Sequence, residues 1–245
     1  MAYGHTVSMT ESLLNAVEIN PVGTARACII WLHGLGADGH DFEALIPQLG
    51  LVDTLGVRVV LPHAPRRAVT INGGMVMPAW YDILAPDFSR GQDDAGIRRS
   101  EQQLRALIQR EIDAGIPAGN ILLAGFSQGG AIVLHAGLRY PQPLAGILAL
   151  STYLPLADLL ATEQVAANHS IPIMLAHGTR DPVVPLSLAE NSRERLLQQG
   201  YQVDWYSYPM QHALCPEELA DIRNWLLQRL APATGQATAC TGLLS

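Results

Sequence analysis

Six short, largely apolar stretches punctuate the chain: Ala27–Leu32, Val57–Leu61, Ile121–Gly125, Leu144–Leu150, Ile173–Ala176 and Val203–Tyr208. Each has the length of a strand, and Ala27–Leu32 and Ile121–Gly125 are apolar throughout. Continuous apolarity is the mark of strands covered on both faces. Between them lie segments of helical length. Ile97, Leu104, Leu107, Ile108 and Ile112 fall on one stripe of a helix over residues 93–114, with charges on the rest of its surface. Helices are also predicted over 40–49, 131–138, 186–199 (closed by Gly200) and 217–230. Residues 1–22 have weak periodicity and read as a ragged start with an edge hairpin. The stretch from His63 to Asp82, rich in Pro and Gly, reads as a long irregular connection, a type of segment that often carries function.

Strands alternating with helices predict an α/β domain with a mostly parallel sheet and helices on both faces. A length of 245 residues suits one such domain, and no break in composition marks a second. Apolar residues make up 49% of the chain, enough for a sizeable core. The small, polar stretch 232–245 reads as a disordered tail. A net charge of −7 and no basic block argue against nucleic acid as a partner. Cys28, Cys215 and Cys240 have no metal-like spacing, and Cys28 reads as a small buried hydrophobe. The N-terminus lacks the charged start and apolar core of a signal peptide, and no apolar run approaches a membrane span. A cytoplasmic protein without stable membrane insertion is expected.

The strongest chemical signal is Gly125-Phe126-Ser127-Gln128-Gly129, directly after a predicted strand and before an apolar helix. A serine at so sharp a turn projects its hydroxyl outward, and the glycines two positions either side avoid a clash across the bend. The helix that follows aims its positive end at charge developing beside the serine. A serine hydroxyl needs a base to take its proton, and the base needs an orienting carboxylate. After Ser127, Asp181 follows a strand in a loop stiffened by Pro182 and Pro185, and His212 follows the last strand. Catalytic groups gather at the carboxyl ends of such strands, so the three can meet on one edge. His5, His33, His40, His63 and His135 are out of chain order for the base. His169 precedes a strand, and His177 reads as a structural hydrogen-bonding group. Acyl transfer further requires donors for an oxyanion. The backbone N–H of Gln128 is one candidate, and that of Leu35, in the turn His33-Gly34-Leu35-Gly36, is the other. That turn is no phosphate loop, since no Lys-Ser/Thr follows it and the dinucleotide-binding spacing is missing.

Trp31-Leu32-His33-Gly34-Leu35-Gly36, Gly125-Phe126-Ser127-Gln128-Gly129-Gly130, His177-Gly178 with Asp181-Pro182-Val183-Val184, and Tyr208-Pro209-Met210-Gln211-His212 together resemble the phospholipase/carboxylesterase family of α/β-hydrolases. That family includes bacterial carboxylesterases and acyl-protein thioesterases. The stretch from Val69 to Gly74 and from Pro78 to Ile83 resembles the bacterial carboxylesterase branch. The likeness runs from about residue 27 to 230. It implies an α/β-hydrolase fold over 23–231, preceded by an extension over 1–22. It implies Ser127, Asp181 and His212 as catalytic triad, Leu35 and Gln128 as oxyanion hole, and Trp80 beside the acyl pocket. A monomer or a homodimer is implied. One departure stands out: the family's usual glycine before the catalytic histidine is Gln211 here.

The expected reaction is hydrolysis of short- to medium-chain carboxylic esters through an acyl-enzyme, with no metal or organic cofactor. Acyl-protein thioesterase or lysophospholipase activity with the same triad is the alternative. Only about twenty residues separate Ser151 from Ile173, too few for a cap domain, so an open, lidless site is expected. A binding protein that kept the fold and lost turnover is the competing class. A peptidase or a dienelactone hydrolase on the same fold is another, although the latter usually carries cysteine as nucleophile.

Overall fold

The computed structural model describes residues 13–85 and 91–231. The expected tail over 232–245 and the first twelve residues lie outside them. The elements in chain order are β1 (Ala16–Ile19), β2 (Ala27–Leu32), α1 (Ile46–Leu49), α2 (Val52–Leu55), β3 (Val57–Pro62), β4 (Arg66–Val69), β5 (Met75–Pro78), α3 (Asp94–Asp113), β6 (Ile121–Phe126), α4 (Gln128–Gly137), β7 (Gly146–Leu150), α5 (Leu160–Glu163), β8 (Ile173–Gly178), α6 (Leu186–Gln198), β9 (Val203–Tyr208) and α7 (Pro216–Leu230). The main sheet has seven strands in the order β1-β3-β2-β6-β7-β8-β9. All its neighbours run parallel except β1, which pairs antiparallel with β3.

Alternation along each strand divides the core into two layers. Cys28, Ile30 and Leu32 of β2 face the layer shared with α3, α4 and α6. Ala27, Ile29 and Trp31 face the opposite layer, where α1 and α7 pack. A strand covered on both faces has no polar side to show, which is why these strands read as apolar runs. Helix α4 is buried along all ten residues, and its buried polar side chains are bonded, Gln128 to Tyr81 O and His135 to Glu101. The stripe on α3 behaves as its spacing predicts: Ile97, Leu104, Leu107 and Ile108 are buried.

The edge hairpin expected within residues 1–22 lies partly outside the described residues, and the described part holds one strand, β1, which pairs with β3. Two expectations need correction. The predicted helix over 40–49 is reduced to α1, preceded by turns, because Pro47 is accepted only near a helix start and Gly50 ends the helix in the left-handed conformation. The connection from His63 to Asp82 is not irregular throughout: β4 and β5 form a small antiparallel hairpin with Arg66 opposite Pro78 and Val69 opposite Met75. Alternation there is too short, and too interrupted by proline, to announce itself.

Candidate active site

The chain lays β2 and then β3 on one side, then returns to place β6 on the other side of β2. The carboxyl ends of β2 and β6 therefore diverge at a switch point, where open α/β sheets leave a crevice. Leu32 pairs with Gly125, so the turn after β2 and the turn after β6 emerge side by side. The three glycines of the second turn are dictated by close approach. A Cβ on Gly125 would lie 2.5 Å from the Gly129 backbone, one on Gly129 2.4 Å from the Leu32 carbonyl, and one on Gly130 2.8 Å from the Thr152 side chain. Ser127 sits at φ 54°, ψ −120°, a strained conformation for a non-glycine residue. Its backbone is held by Ser127 N–H donating to Leu150 O at 2.8 Å and by the Thr152 hydroxyl donating to Ser127 O at 2.6 Å.

Asp181 and His212 arrive from the ends of β8 and β9. These loops are zipped together: Thr179 N–H donates to Tyr208 O at 2.8 Å and Arg180 N–H to Met210 O at 3.0 Å. Gly178 allows the approach, since a Cβ there would lie 2.4 Å from Gln211 O. Asp181 Oδ1 accepts from the N–H groups of Val183 and Val184 at 2.8 and 2.9 Å. Its Oδ2 lies 2.6 Å from His212 Nδ1, and His212 Nε2 lies 2.9 Å from Ser127 Oγ. The carboxylate can only accept, so Nδ1 carries the ring proton and Nε2 is left to accept from the serine hydroxyl. Phe126 packs against the His212 ring with centroids 4.8 Å apart, and Phe42 backs Phe126. Gln211 is not among the non-glycine residues at positive φ, so the missing glycine costs the turn no strain. His177 stands behind the carboxylate: its Nε2 donates to Val184 O at 2.8 Å and lies 3.5 Å from Asp181 Oδ2.

Leu35 and Gln128 both border a cavity of about 310 Å³ that opens beside Ser127. Neither backbone N–H has an acceptor among the described residues. The orientation of Leu35 N–H has a physical cause. His33 is buried, and its Nε2 accepts from Ala64 N–H at 3.0 Å, so its Nδ1 carries the proton and donates to Gly34 O at 2.7 Å. Burial lowers the His33 pKa and keeps the ring in this neutral form. In a planar trans peptide, the Gly34 carbonyl and the Leu35 N–H point in opposite directions. Anchoring the first turns the second away from His33.

Trp80 is a correction. Its side chain does not line the cavity. It is buried, its indole N–H donates to His33 O at 2.9 Å, and its backbone N–H donates to Gln128 Oε1 at 2.7 Å. The Gln128 side chain also donates to Tyr81 O at 2.7 Å. Trp80 and Gln128 thus lock the two turns to the segment after β5. This clamp escaped the sequence, where Gln128 stood out only for its backbone N–H. The apolar lining comes instead from Ile71, Tyr81, Ile83, Tyr153 and Val184. Among the described residues no group of three or more His, Cys, Asp or Glu could hold a metal ion.

The chain is similar to known proteins along most of its length. The family described as Phospholipase/Carboxylesterase matches residues 15–229. Acyl-protein thioesterase 1 of Neurospora crassa is 45% identical over 220 residues, covering 85% of this chain and 89% of its own. Among solved structures, Arabidopsis thaliana SOBER1 superimposes with a TM-score of 0.78 at 30% identity, covering 84% of this chain and 100% of its own. Zea mays acyl-protein thioesterase 2 gives a TM-score of 0.78 at 29% identity, covering 89% and 99%.

Proposed function

Since the chain belongs to the phospholipase/carboxylesterase family of α/β-hydrolases and is an ester or thioester hydrolase, we propose that Ser127, His212 and Asp181 are its catalytic triad and that acyl thioesters are its preferred substrates. The observation that carries the triad is the continuous relay from Asp181 Oδ2 through His212 to Ser127 Oγ, at 2.6 and 2.9 Å. His212 takes the hydroxyl proton as Ser127 attacks the acyl carbonyl. The N–H groups of Leu35 and Gln128 receive the oxyanion. His212 then hands the proton to the leaving thiol or alcohol, and water repeats the sequence on the acyl-enzyme. Asp181 holds the imidazole tautomer and offsets the cation that forms on it.

Thioesters are favoured over the simple esters first expected because the relatives, acyl-protein thioesterases, are similar along nearly their whole length. The site has room for this reading. A cavity of about 310 Å³ takes an acyl chain but not a folded leaving group, so an acylated protein would remain outside and present only its chain. No helix among the described residues is long and apolar enough to cross a membrane, and we place the protein in the cytoplasm. The test compares matched acyl thioesters and p-nitrophenyl esters of equal chain length. Wild type is expected to give higher kcat/KM on the thioesters. Ser127→Ala is expected to lose about 10⁴-fold or more in kcat on both while remaining folded. Near-wild-type turnover by that variant contradicts the triad.

A further inference from the structure

The cavity beside Ser127 ends on a pair of tyrosines. Tyr81 and Tyr153 are buried and their hydroxyls lie 2.8 Å apart. Burial raises both pKa values, so the pair stays neutral and hydrogen-bonded. On the other side of Tyr153 lies a second cavity of about 150 Å³, bounded by Leu154, Ala157, Leu188 and Ser192. Tyr153 lines both. The buried polar groups around the second cavity are already engaged, and Asn191 and Arg195, which also border it, are exposed to solvent. Leu154 N–H donates to Ser192 Oγ at 2.8 Å, Ser192 Oγ donates to Leu188 O at 2.6 Å, and Leu156 N–H donates to Gln92 Oε1 at 3.0 Å. An apolar chain entering there would strand none of them.

We propose that Tyr153, held by Tyr81, is the wall that sets acyl-chain length by separating the acyl cavity from this second cavity. The inference rests on the reading of Ser127 as the residue that accepts the acyl group. Magnitudes support a limit. At about 30 Å³ per water-sized group, the first cavity holds about ten non-hydrogen atoms. That is the thioester carbon, its oxygen and a chain of about eight carbons. The second cavity adds room for about five more. Removing the wall therefore makes room for acyl chains of up to about fourteen carbons. Each further methylene taken into an apolar space contributes up to about fourfold.

The test is the ratio of kcat/KM for dodecanoyl and hexanoyl p-nitrophenyl esters, read below their solubility limits. A ratio within one variant is insensitive to the fraction of folded enzyme. Tyr153→Ala is expected to raise the ratio at least tenfold, and Tyr153→Phe, which keeps the wall, to leave it near the wild-type value. Filling the second cavity in Tyr153→Ala/Leu188→Trp is expected to return the ratio towards wild type. Tyr153→Leu serves the same reading should Tyr153→Ala not fold. An unchanged ratio in an active Tyr153→Ala or Tyr153→Leu enzyme overturns the inference and leaves the assignment of Ser127 intact. A raised ratio that Leu188→Trp does not reverse also overturns it, because the chain then runs elsewhere. Absence of acyl turnover by wild type overturns the functional reading and this inference together.

Discussion

Single side chains at this site act in pairs, one facing the crevice and one behind it. Ser127, Asp181 and His212 form the relay, and their placement depends on neighbours without any reactive role. His33 is the clearest of these. Its neutral ring accepts from Ala64 N–H and donates to Gly34 O, and so turns the Leu35 N–H the other way. His33→Leu leaves both backbone groups without that partner, and Gly34 O keeps only the long 3.3 Å bond from Ala37 N–H, so the peptide is held less firmly. Loss of an oriented oxyanion donor costs about 10²–10³ in kcat. Because that contact strengthens in the transition state, KM is expected to change little. Steady-state kinetics at fixed acyl length check this, and an unchanged kcat contradicts it. The proposed triad could be named from the sequence because its chemistry demands a chain order and strand-end positions. The role of His33 was not, because a histidine beside a glycine turn looks alike whether it catalyses, packs or orients a peptide. Trp80 was misplaced for a related reason: an aromatic near a pocket can line it or stand behind it, and only packing decides.

At the scale of elements, strand–helix alternation was readable because both sheet faces are covered and each strand stands out as an apolar run. The hairpin β4–β5 was hidden, since four-residue strands interrupted by Pro65 and Pro78 carry no lasting alternation. Helix α7 holds a feature that periodicity alone does not suggest. Glu218, in its first turn, is buried with 0% exposure, and apart from the nearby Cys215 backbone N–H its carboxyl oxygens face no polar partner among the described residues. Desolvation pushes its pKa up to about 8, against a smaller opposing effect of the Cys215 backbone N–H. The folded state then binds a proton that the unfolded state releases above about pH 4.5. Stability contributed by the neutral form is full below that pH and is lost as pH rises through 8. Wild type is expected to lose stability between pH 5.5 and 8.5 relative to Glu218→Gln, by an amount on the order of a few kcal/mol. Urea midpoints of both proteins across this range are the check. Parallel curves contradict a buried, protonated Glu218.

Across the whole molecule, the sheet order explains why residues far apart in sequence meet. The switch between β2 and β6 opens the crevice, and β8 and β9 deliver Asp181 and His212 to the same edge. Among the described residues no cap covers that edge: between β7 and β8 lie only α5 and two single 3₁₀ turns. This brevity was visible in the sequence as a connection too short for a domain. The volume and end wall of the acyl cavity were not, because they arise from Tyr81 and Tyr153, 72 positions apart. The central claim is that this edge activates Ser127 for acyl transfer. The most direct measurement is reaction of the intact protein with a fluorophosphonate, followed by mass mapping of the modified peptide. One adduct is expected, on Ser127, with labelling strongly slowed in His212→Ala. Labelling of wild type at another serine, or no labelling at all, contradicts it.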